Sequence, residues 1–368
     1  MSSEVVCTGA GLSTWLGDGA EHFWRGLLAD DGVLAQPPAG LRDDSGELLA
    51  SCRRELMDHV VAEALKEAGV TADGARWLVL LVAQADHRER RAARLAPLFS
   101  HVLVPEQAEV MVVSHACASV GFAVASARTL LRSGRCDRAL VLGSCVPTDY
   151  DIRGMAVTRA LARGACRPFD VARDGTTIGC GAGALLLERA EDARRRGAAA
   201  LARIAGVACR VGAGSRAGLD RDAARHCIEL AVADAATVSI DYVHAHATGT
   251  RAGDEAELAV LAEVGARGGL QSVPVSSHKG RVGHLLHCSM FPGVVVALRA
   301  LRDGIVPGTP GLRCPIRGYG LSPLLSARRV AHVRAVLVNG FGFCDNNAAL
   351  VLARERPVCD GEELQAGR

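Results

Sequence analysis

The sequence predicts a layered α/β fold organised in two similar halves. Short apolar runs of strand length alternate with segments that carry apolar residues at helical spacing. The alternation begins again past mid-chain, after a charged stretch at residues 188–196. A chain of 368 residues with 49% hydrophobic content can bury the core of one large α/β domain or of two fused halves.

The individual elements follow from these runs. In the first half, strands are predicted at residues 5–7, 77–82, 110–113, 139–142 and 184–187. Residues 56–68 have the pattern of an amphipathic helix, and residues 120–131 form a small-residue helix that is hydrophobic nearly all round, as expected for a helix buried between sheets. In the second half, strands are predicted at residues 200–211, 241–246, 274–276 and 335–338.

These elements divide the chain into three parts. Residues 1–190 form the first half, residues 191–355 the second, and residues 356–368 a loose polar tail. We therefore expect a site that combines residues of the two halves to lie at their junction.

Composition excludes several classes of protein. A formal net charge of +2 is too small for a general nucleic-acid binder. Arginine clusters at residues 88–94 and 194–196 indicate solvated helix faces or, alternatively, a docking site for an acidic carrier protein. The thirteen cysteines include no Cys-x-x-Cys pair, which favours reduced thiols in a cytoplasm over disulfides or zinc. No leader peptide and no apolar run of membrane-spanning length are evident, so we expect a cytoplasmic protein without a membrane anchor.

Cys117 is the first candidate for catalysis. It lies in Ser114-His-Ala-Cys-Ala-Ser-Val-Gly121, between a predicted strand and a predicted helix, where the backbone must turn sharply. A thiol at the start of a helix faces unpaired N–H groups and the positive end of the helix dipole, so we predict a lowered pKa and a reactive thiolate. The alternative is a small, inert core cysteine.

Two histidines in glycine-containing motifs accompany this cysteine. They are His246, in His246-Ala-Thr-Gly-Thr250, and His284, in Lys279-Gly-Arg-Val-Gly-His284. Lys279 is one of only two lysines among 42 basic residues, which suggests a specific role for its compact ammonium group. A single histidine at a strand end is more often a structural residue, and Asp254 and Glu257 are also consistent with capping of the next helix.

A metal site is a weaker alternative. His244 and His246 would share one face of a strand, and His284 and His287 would lie one helical turn apart. Because those ligands would displace an intact Cys/His/His set, we predict that no metal is bound.

Five ordered motifs resemble the β-ketoacyl-acyl carrier protein synthases (ketosynthases) of the thiolase superfamily, over residues 5–353. The motifs are Val6-Cys-Thr-Gly-Ala-Gly11 with Leu16-Gly17 and Phe23-Trp24, Arg167-Pro-Phe-Asp170 with Arg173-Asp-Gly175, His246-Ala-Thr-Gly-Thr250 with Asp254 and Glu257, Lys279 to His284, and Gly340-Phe-Gly-Phe343 with Asn347. The resemblance is to the type II fatty-acid and polyketide kind, as an atypical short member. It implies a thiolase-like fold with two pseudo-repeated βαβαβ halves in α-β-α-β-α layers.

The resemblance also implies roles for the site residues. Cys117 accepts an acyl group, and the backbone N–H groups of Cys117 and Phe343 hold the thioester oxygen, with Phe341 and Gly342 in the same gate segment. His246 and His284 stabilise the enolate formed when a malonyl-type thioester loses CO₂. Lys279 orients His284 or tunes the local charge with Glu257 as its ion partner, Asp254 supports the site, and Thr248 and Thr250 line the pantetheine arm.

Three departures from the family concern pocket shape. The chain between residue 83 and Cys117 is shorter than usual, and the segment after His284 carries His287, Met290 and Pro292 where the family prefers small residues. Cys344 and Asp345 replace two glycines, so we expect a stiffer gate.

The resemblance leaves three functions open. The first is a decarboxylating ketosynthase of specialised polyketide or fatty-acid biosynthesis, the second an acyltransferase that does not decarboxylate, and the third a non-catalytic partner resembling a chain-length factor. We expect no bound cofactor, because substrates arrive on the phosphopantetheine of an acyl carrier protein or on CoA. The expected partners are that carrier and a second copy of the chain, or alternatively a related subunit.

Overall fold

The computed structural model describes residues 4–29, 32–33, 47–71, 74–84, 108–212, 218–236, 238–267, 270, 273–321, 323–330 and 332–355. The predicted polar tail, the arginine cluster at residues 88–94 and most of the short segment before Cys117 lie outside these ranges. In chain order the elements are β1 (Val5–Thr14), β2 (Gly17–Asp18), α1 (Ala20–Leu28), α2 (Glu47–Glu67), β3 (Trp77–Val82), β4 (Glu109–Val113), α3 (Ser119–Arg132), β5 (Arg138–Cys145), α4 (Asp149–Val157), β6 (Gly181–Arg189), α5 (Ala190–Arg195), β7 (Ala202–Val211), α6 (Arg221–Asp234), β8 (Tyr242–His244), α7 (Arg251–Ala266), β9 (Val275–Ser276), α8 (Lys279–Val282), a 3-10 helix (Leu286–Cys288), α9 (Met290–Asp303), β10 (Ile305–Val306), β11 (Arg328–Arg329), β12 (Ala335–Gly342) and β13 (Asn346–Ala353).

The main sheet has the same topology in both halves. Its strand order is β4-β3-β5-β6-β1-β7-β13-β12-β8-β9, with β2 added beside β1. The five main strands are β1, β3, β4, β5 and β6 in the first half and β7, β8, β9, β12 and β13 in the second. When each set is numbered 1 to 5 in chain order, both halves have the order 3-2-4-5-1 from the outer edge inward. In each half the second strand (β3 or β8) is parallel to both of its neighbours. The fifth strand (β6 or β13) is antiparallel to both of its neighbours. The first strands, β1 and β7, pair antiparallel where the halves meet.

Helices cover both faces of this arrangement. Helix α2 packs on β1 and β6, and helix α6 packs on β7 and β13. Helices α3 and α9 lie between the halves, because α3 contacts β5 and β7 while α9 contacts β12 and β1. The layers therefore run α-β-α-β-α, and the predicted thiolase-like fold of two pseudo-repeated halves is confirmed.

Two glycines of β1 allow helix α2, in the outer helical layer of the first half, to pack closely on the sheet. A Cβ at Gly9 would lie 2.0 Å from the carbonyl oxygen of Ala64, and one at Gly11 would lie 2.0 Å from that of Val60. Only glycine at both positions of β1 allows α2 to approach the strand backbone this closely.

The observed elements differ from the predicted ones mainly in length. The strand predicted at residues 5–7 continues to Thr14, because its glycines interrupt the apolar run without interrupting the strand. The strand predicted at residues 241–246 ends at His244, because the N–H of His246 binds the Glu257 carboxylate. Strand β13 was not predicted. Among the described residues, no helix is long and apolar enough to cross a membrane.

Candidate active site

The nucleophile loop joins the end of β4 to the start of α3. Ala116 has a φ of 47°, in the left-handed region, and the turn is closed by the Ala118 N–H, which donates to the His115 carbonyl at 3.1 Å. The sharp turn predicted from the sequence is therefore present. It places Cys117 two residues before the start of α3, with its side chain buried.

The thiol of Cys117 contacts a histidine of the second half. Its Sγ lies 3.1 Å from Nε2 of His284. The backbone of His284 is fixed on both sides, since its N–H donates to Thr177 at 2.7 Å and its carbonyl accepts from Gly179 at 3.0 Å. The imidazole is therefore held against the sulfur by the first half of the chain.

His246 completes a Cys/His/His group. Its ring centroid lies 5.3 Å from that of His284, with the ring planes at 84°. Glu257 on α7 fixes the loop that carries it, because the carboxylate accepts the N–H of His246 at 2.8 Å and that of Ala247 at 2.7 Å. Phe341 packs edge-on against His246 at a centroid distance of 5.9 Å.

Lys279 is buried beside these groups and donates from Nζ to the carbonyl oxygen of His246. Burial lowers the pKa of Lys279 to about 8, while the negative charge of Glu257 acts in the opposite direction. The predicted direct ion pair with Glu257 is not formed, since within the described ranges Lys279 has no carboxylate within ion-pair distance. Glu257 instead uses its oxygens for the two N–H groups of the His246 loop and for the Asn339 amide at 3.0 Å.

The predicted lowering of the Cys117 pKa is wrong. Burial raises the pKa of the thiol to about 11, and the charge of Lys279 and the backbone N–H of Cys117 offset this only in part. Burial and the Lys279 charge also hold the pKa of His284 well below its usual value. A neutral thiol therefore faces a neutral imidazole, which can accept the proton as the sulfur attacks a substrate.

Asp254 acts on a neighbouring loop rather than on the cavity. Its buried carboxylate accepts the N–H of Phe169 at 2.7 Å and that of Gly249 at 3.0 Å. It thereby joins the Arg167-Pro-Phe-Asp170 motif to the loop that carries Thr248 and Thr250.

The predicted residues surround a single cavity of about 390 Å³. Its lining includes Cys117, His246, Thr248, Thr250, Glu257, His284, Phe341, Gly342 and Phe343. The hydroxyl oxygens of Thr248 and Thr250 lie 3.1 Å apart. Of the predicted site residues, Asp254 and Lys279 lie behind this lining.

The gate segment, residues 341–346, comprises the end of β12, the turn that follows it and the first residue of β13. A Cβ at Gly342 would lie 2.8 Å from the backbone nitrogen of Cys117, so the segment packs directly on the nucleophile loop. Cys344 and Asp345 have φ values of 57° and 51°, in the left-handed region that glycine adopts without strain. The two replacements thus keep a glycine-like backbone at an energetic cost.

Comparison with known proteins assigns the chain to a family. The family models described as "Beta-ketoacyl synthase, N-terminal domain" and "Beta-ketoacyl synthase, C-terminal domain" match residues 104–193 and 201–313. Nodulation protein E of Rhizobium leguminosarum bv. trifolii is 36% identical over 375 residues, covering 86% of this chain and 90% of that protein. The chain belongs to the β-ketoacyl synthase family. The resemblance found in the sequence is confirmed.

Other β-ketoacyl synthases agree with this assignment. The 3-oxoacyl-[acyl-carrier-protein] synthase 2 of Vibrio cholerae serotype O1 is 31% identical over 255 residues, covering 66% of this chain and 61% of that protein. A solved complex of a type II polyketide acyl carrier protein with its ketosynthase matches with a TM-score of 0.81 at 23% identity, over 97% of this chain and 100% of the other. At that identity the likeness shows the fold alone.

This β-ketoacyl synthase chain also has site contacts that sequence reasoning missed. His115 bonds to Asn346 in the gate segment, and Ser289 donates to the carbonyl of Cys117 at 3.1 Å. Asn339, a polar residue within the apolar run of β12, supports Glu257. Only Asn339 had a sequence signal, since a polar residue in a buried strand needs a partner.

The alternative metal site is not assembled. Within the described part of the chain, no group of three or more His, Cys, Asp or Glu side chains could hold a metal ion. His244 bonds to Tyr242 and His278, each at 2.7 Å, and His287 bonds to the carbonyl of Ser144 at 3.0 Å.

The second predicted arginine cluster is engaged in ion pairs. Arg194 pairs with Glu355, Arg195 with Asp192 and Arg196 with Glu188. Its charges are therefore balanced locally rather than presented together to a partner.

Proposed function

We propose that this protein is an active ketosynthase that condenses an acyl group held on Cys117 with a malonyl-type thioester on an acyl carrier protein. The observation that carries the proposal is the 3.1 Å contact between Sγ of Cys117 and Nε2 of His284, with His246 in the same cavity. A non-catalytic partner subunit would have no need of this intact group.

The first half-reaction is acyl transfer. The sulfur of Cys117 forms a bond to the thioester carbonyl carbon while its proton passes to His284. The bond between that carbon and the carrier sulfur then breaks, and the carrier sulfur takes the proton from His284. The backbone N–H groups of Cys117 and Phe343 are proposed to hold the carbonyl oxygen while it carries negative charge.

The second half-reaction is decarboxylative condensation. The carbon–carbon bond to the malonyl carboxylate breaks, CO₂ leaves, and the electron pair forms an enolate. Burial and the Lys279 charge keep His246 and His284 neutral, and a neutral imidazole has an N–H to donate to the enolate oxygen. The enolate carbon attacks the acyl carbonyl, and the Cys117 thiolate that leaves regains a proton from water.

The experiment combines the purified protein with a panel of acyl-carrier thioesters and malonyl carrier, with Cys117→Ala as control. Intact masses of enzyme and carrier are followed. A gain of the acyl mass on Cys117, with CO₂ loss and a β-ketoacyl carrier, supports the proposal. Acylation without extension would favour acyl transfer to another acceptor, and no acylation by any donor would favour a partner subunit.

We also propose a homodimer that works with an acyl carrier protein in the cytoplasm without a bound cofactor. Support for the dimer comes from β4, the edge strand of the first half, where Val110 and Val112 are 37% and 44% exposed. Among the described strands β4 pairs only with β3, and an apolar edge of this kind favours pairing with another chain. A related subunit in place of the second copy would appear as a heterodimer on co-expression.

A further inference from the structure

Two buried polar atoms next to the active site lack hydrogen-bond partners among the described residues. They are Oδ1 of Asp151 and Nδ1 of His287. Both residues are more than nine-tenths buried, at 8% and 6% exposure. Buried polar atoms are nearly always paired in proteins, so an unpaired pair near a substrate cavity indicates a ligand group.

The two residues lie on segments that also supply lining residues of the cavity, although neither is itself part of the lining. Helix α4 buries two side chains, Met155 and Asp151, which are one turn apart, and Met155 lines the cavity with Cys117. His284 lines the cavity as well, and His287 follows it within the 3-10 helix. Asp151 lies one helical turn before Met155, and His287 lies three residues after His284; Asp151 and His287 interact electrostatically with each other.

Both unpaired atoms are hydrogen-bond acceptors. Oδ2 of Asp151 already accepts the N–H of Thr148 at 2.9 Å and its hydroxyl at 2.7 Å, which leaves Oδ1 as the open oxygen. Nε2 of His287 lies 3.0 Å from the Ser144 carbonyl, so Nε2 carries the proton. Burial lowers the pKa of His287 to about 4, so the ring is neutral and Nδ1 presents a lone pair.

No donor of the described chain satisfies these acceptors. Arg53 is the nearby cation, and its charge lowers the pKa of His287, yet neither open atom receives a hydrogen bond from it. An unsubstituted acyl chain would leave both acceptors desolvated and unpaired, which is unfavourable. A hydroxyl or an N–H group in the same place would satisfy them.

We propose that the acyl group carried by Cys117 bears an O–H or N–H donor that hydrogen-bonds to His287 and Asp151. The inference rests on the proposed function, since it concerns the acyl group loaded in the first half-reaction. It identifies His287 and Asp151 as specificity-determining residues for that group.

The test measures the rate at which Cys117 gains acyl mass from N-acetylcysteamine thioesters. The donors are hexanoyl and octanoyl groups, each unsubstituted, hydroxylated at carbon 3 and hydroxylated at the terminal carbon. At least one hydroxylated donor should acylate Cys117 roughly tenfold faster than its unsubstituted partner. In His287→Leu, which removes the acceptor at similar volume, this ratio should fall to about one.

A second variant, at Asp151, tests the same proposal if His287→Leu does not fold. Asp151→Ala removes the open acceptor and leaves no polar group that could bind the hydroxyl in its place, so the preference for the hydroxylated donor should fall. His226→Leu, at an exposed position of α6, should keep the wild-type ratio.

The outcomes separate this inference from the proposed function. Equal rates for all donors with wild-type protein, or an unchanged ratio in both variants, would overturn this inference and leave the ketosynthase proposal standing. If no thioester acylates Cys117, both are overturned.

Discussion

Nδ1 of His115 donates to the side-chain oxygen of Asn346 at 3.0 Å, which joins the nucleophile loop to the gate segment. The Asn346 amide in turn donates to the carbonyl of Phe343 at 2.8 Å. The His115 ring stacks on Phe122 with a centroid distance of 3.7 Å. The side chains of His115 and Asn346 thus fix the relative position of the two backbone N–H groups proposed to hold the oxyanion, those of Cys117 and Phe343.

Asn346→Ala should lower kcat about tenfold with little change in KM, because an oxyanion contact acts mainly in the transition state. Steady-state kinetics with a fixed acyl donor measures both constants. His226→Ala, on the exposed face of α6, is the control. A raised KM with unchanged kcat would show that the contact serves substrate binding instead.

The reactivity of Cys117 should depend on pH through Lys279. With a thiol pKa of about 11, its alkylation by iodoacetamide should rise through pH 7–10 without a plateau. Lys279 loses its charge near pH 8, and that charge lowers the thiol pKa. Lys279→Met should therefore slow alkylation, by roughly tenfold at pH 7, and the difference should vanish above about pH 9.

Peptide mapping by mass spectrometry gives the rate of alkylation at Cys117 separately from that of the other cysteines. The exposed Cys344 serves as internal reference, with equal rates expected in both proteins. A plateau near pH 7 in the alkylation rate of the wild-type protein would contradict the raised pKa of Cys117. Equal rate profiles for the wild type and Lys279→Met would contradict the effect of the Lys279 charge.

Replacing the two gate residues with glycine should change stability in opposite directions. Cys344→Gly relieves left-handed strain at an exposed position and should raise the free energy of unfolding by about 0.5–1 kcal/mol. Asp345→Gly also relieves strain but loses the hydrogen bond from the Asp220 N–H, at 3.0 Å, and should lower it by about 1 kcal/mol. Denaturant unfolding measures both, and stabilisation by Asp345→Gly would show that its carboxylate does not anchor the gate.

The exposed β4 edge should mediate dimerisation. Val112→Lys places a charge on this edge and should convert the dimer to monomer, as measured by light scattering. Val211→Lys is the matched control, since Val211 is 57% exposed at the end of β7. A dimer that persists in Val112→Lys would place the interface elsewhere.

Nine of the residues that line the cavity were predicted from the sequence, because they lie in short motifs. His246, Thr248 and Thr250 occupy one loop, and Phe341, Gly342 and Phe343 are consecutive at the end of β12. The spacing within each motif therefore determined which residues line the cavity together. The fold class was predictable for a related reason, since apolar periodicity reports burial along each element.

What the sequence could not predict depends on contacts between distant parts of the chain. The pKa of Cys117 depends on its burial in the folded protein, which raises the pKa, whereas the local motif suggested a lowering by the helix dipole. The bond between His115 and Asn346 spans 231 positions. Glu257 binds two backbone N–H groups and Asn339 instead of Lys279. These partners depend on the packing of distant segments, so the sequence alone could not predict them.

The repeated strand order has a consequence for the origin of such a site. The thiol follows the third strand of one half, whereas both imidazoles belong to the other half, so neither repeat contains the full set of reacting groups. A single ancestral copy that carried both kinds of residue would therefore have assembled them only by pairing with itself, giving two sites for each pair. Duplication and fusion would then free one site of each pair to diverge, and one Cys/His/His group would remain, as in the part of this chain that the structure describes.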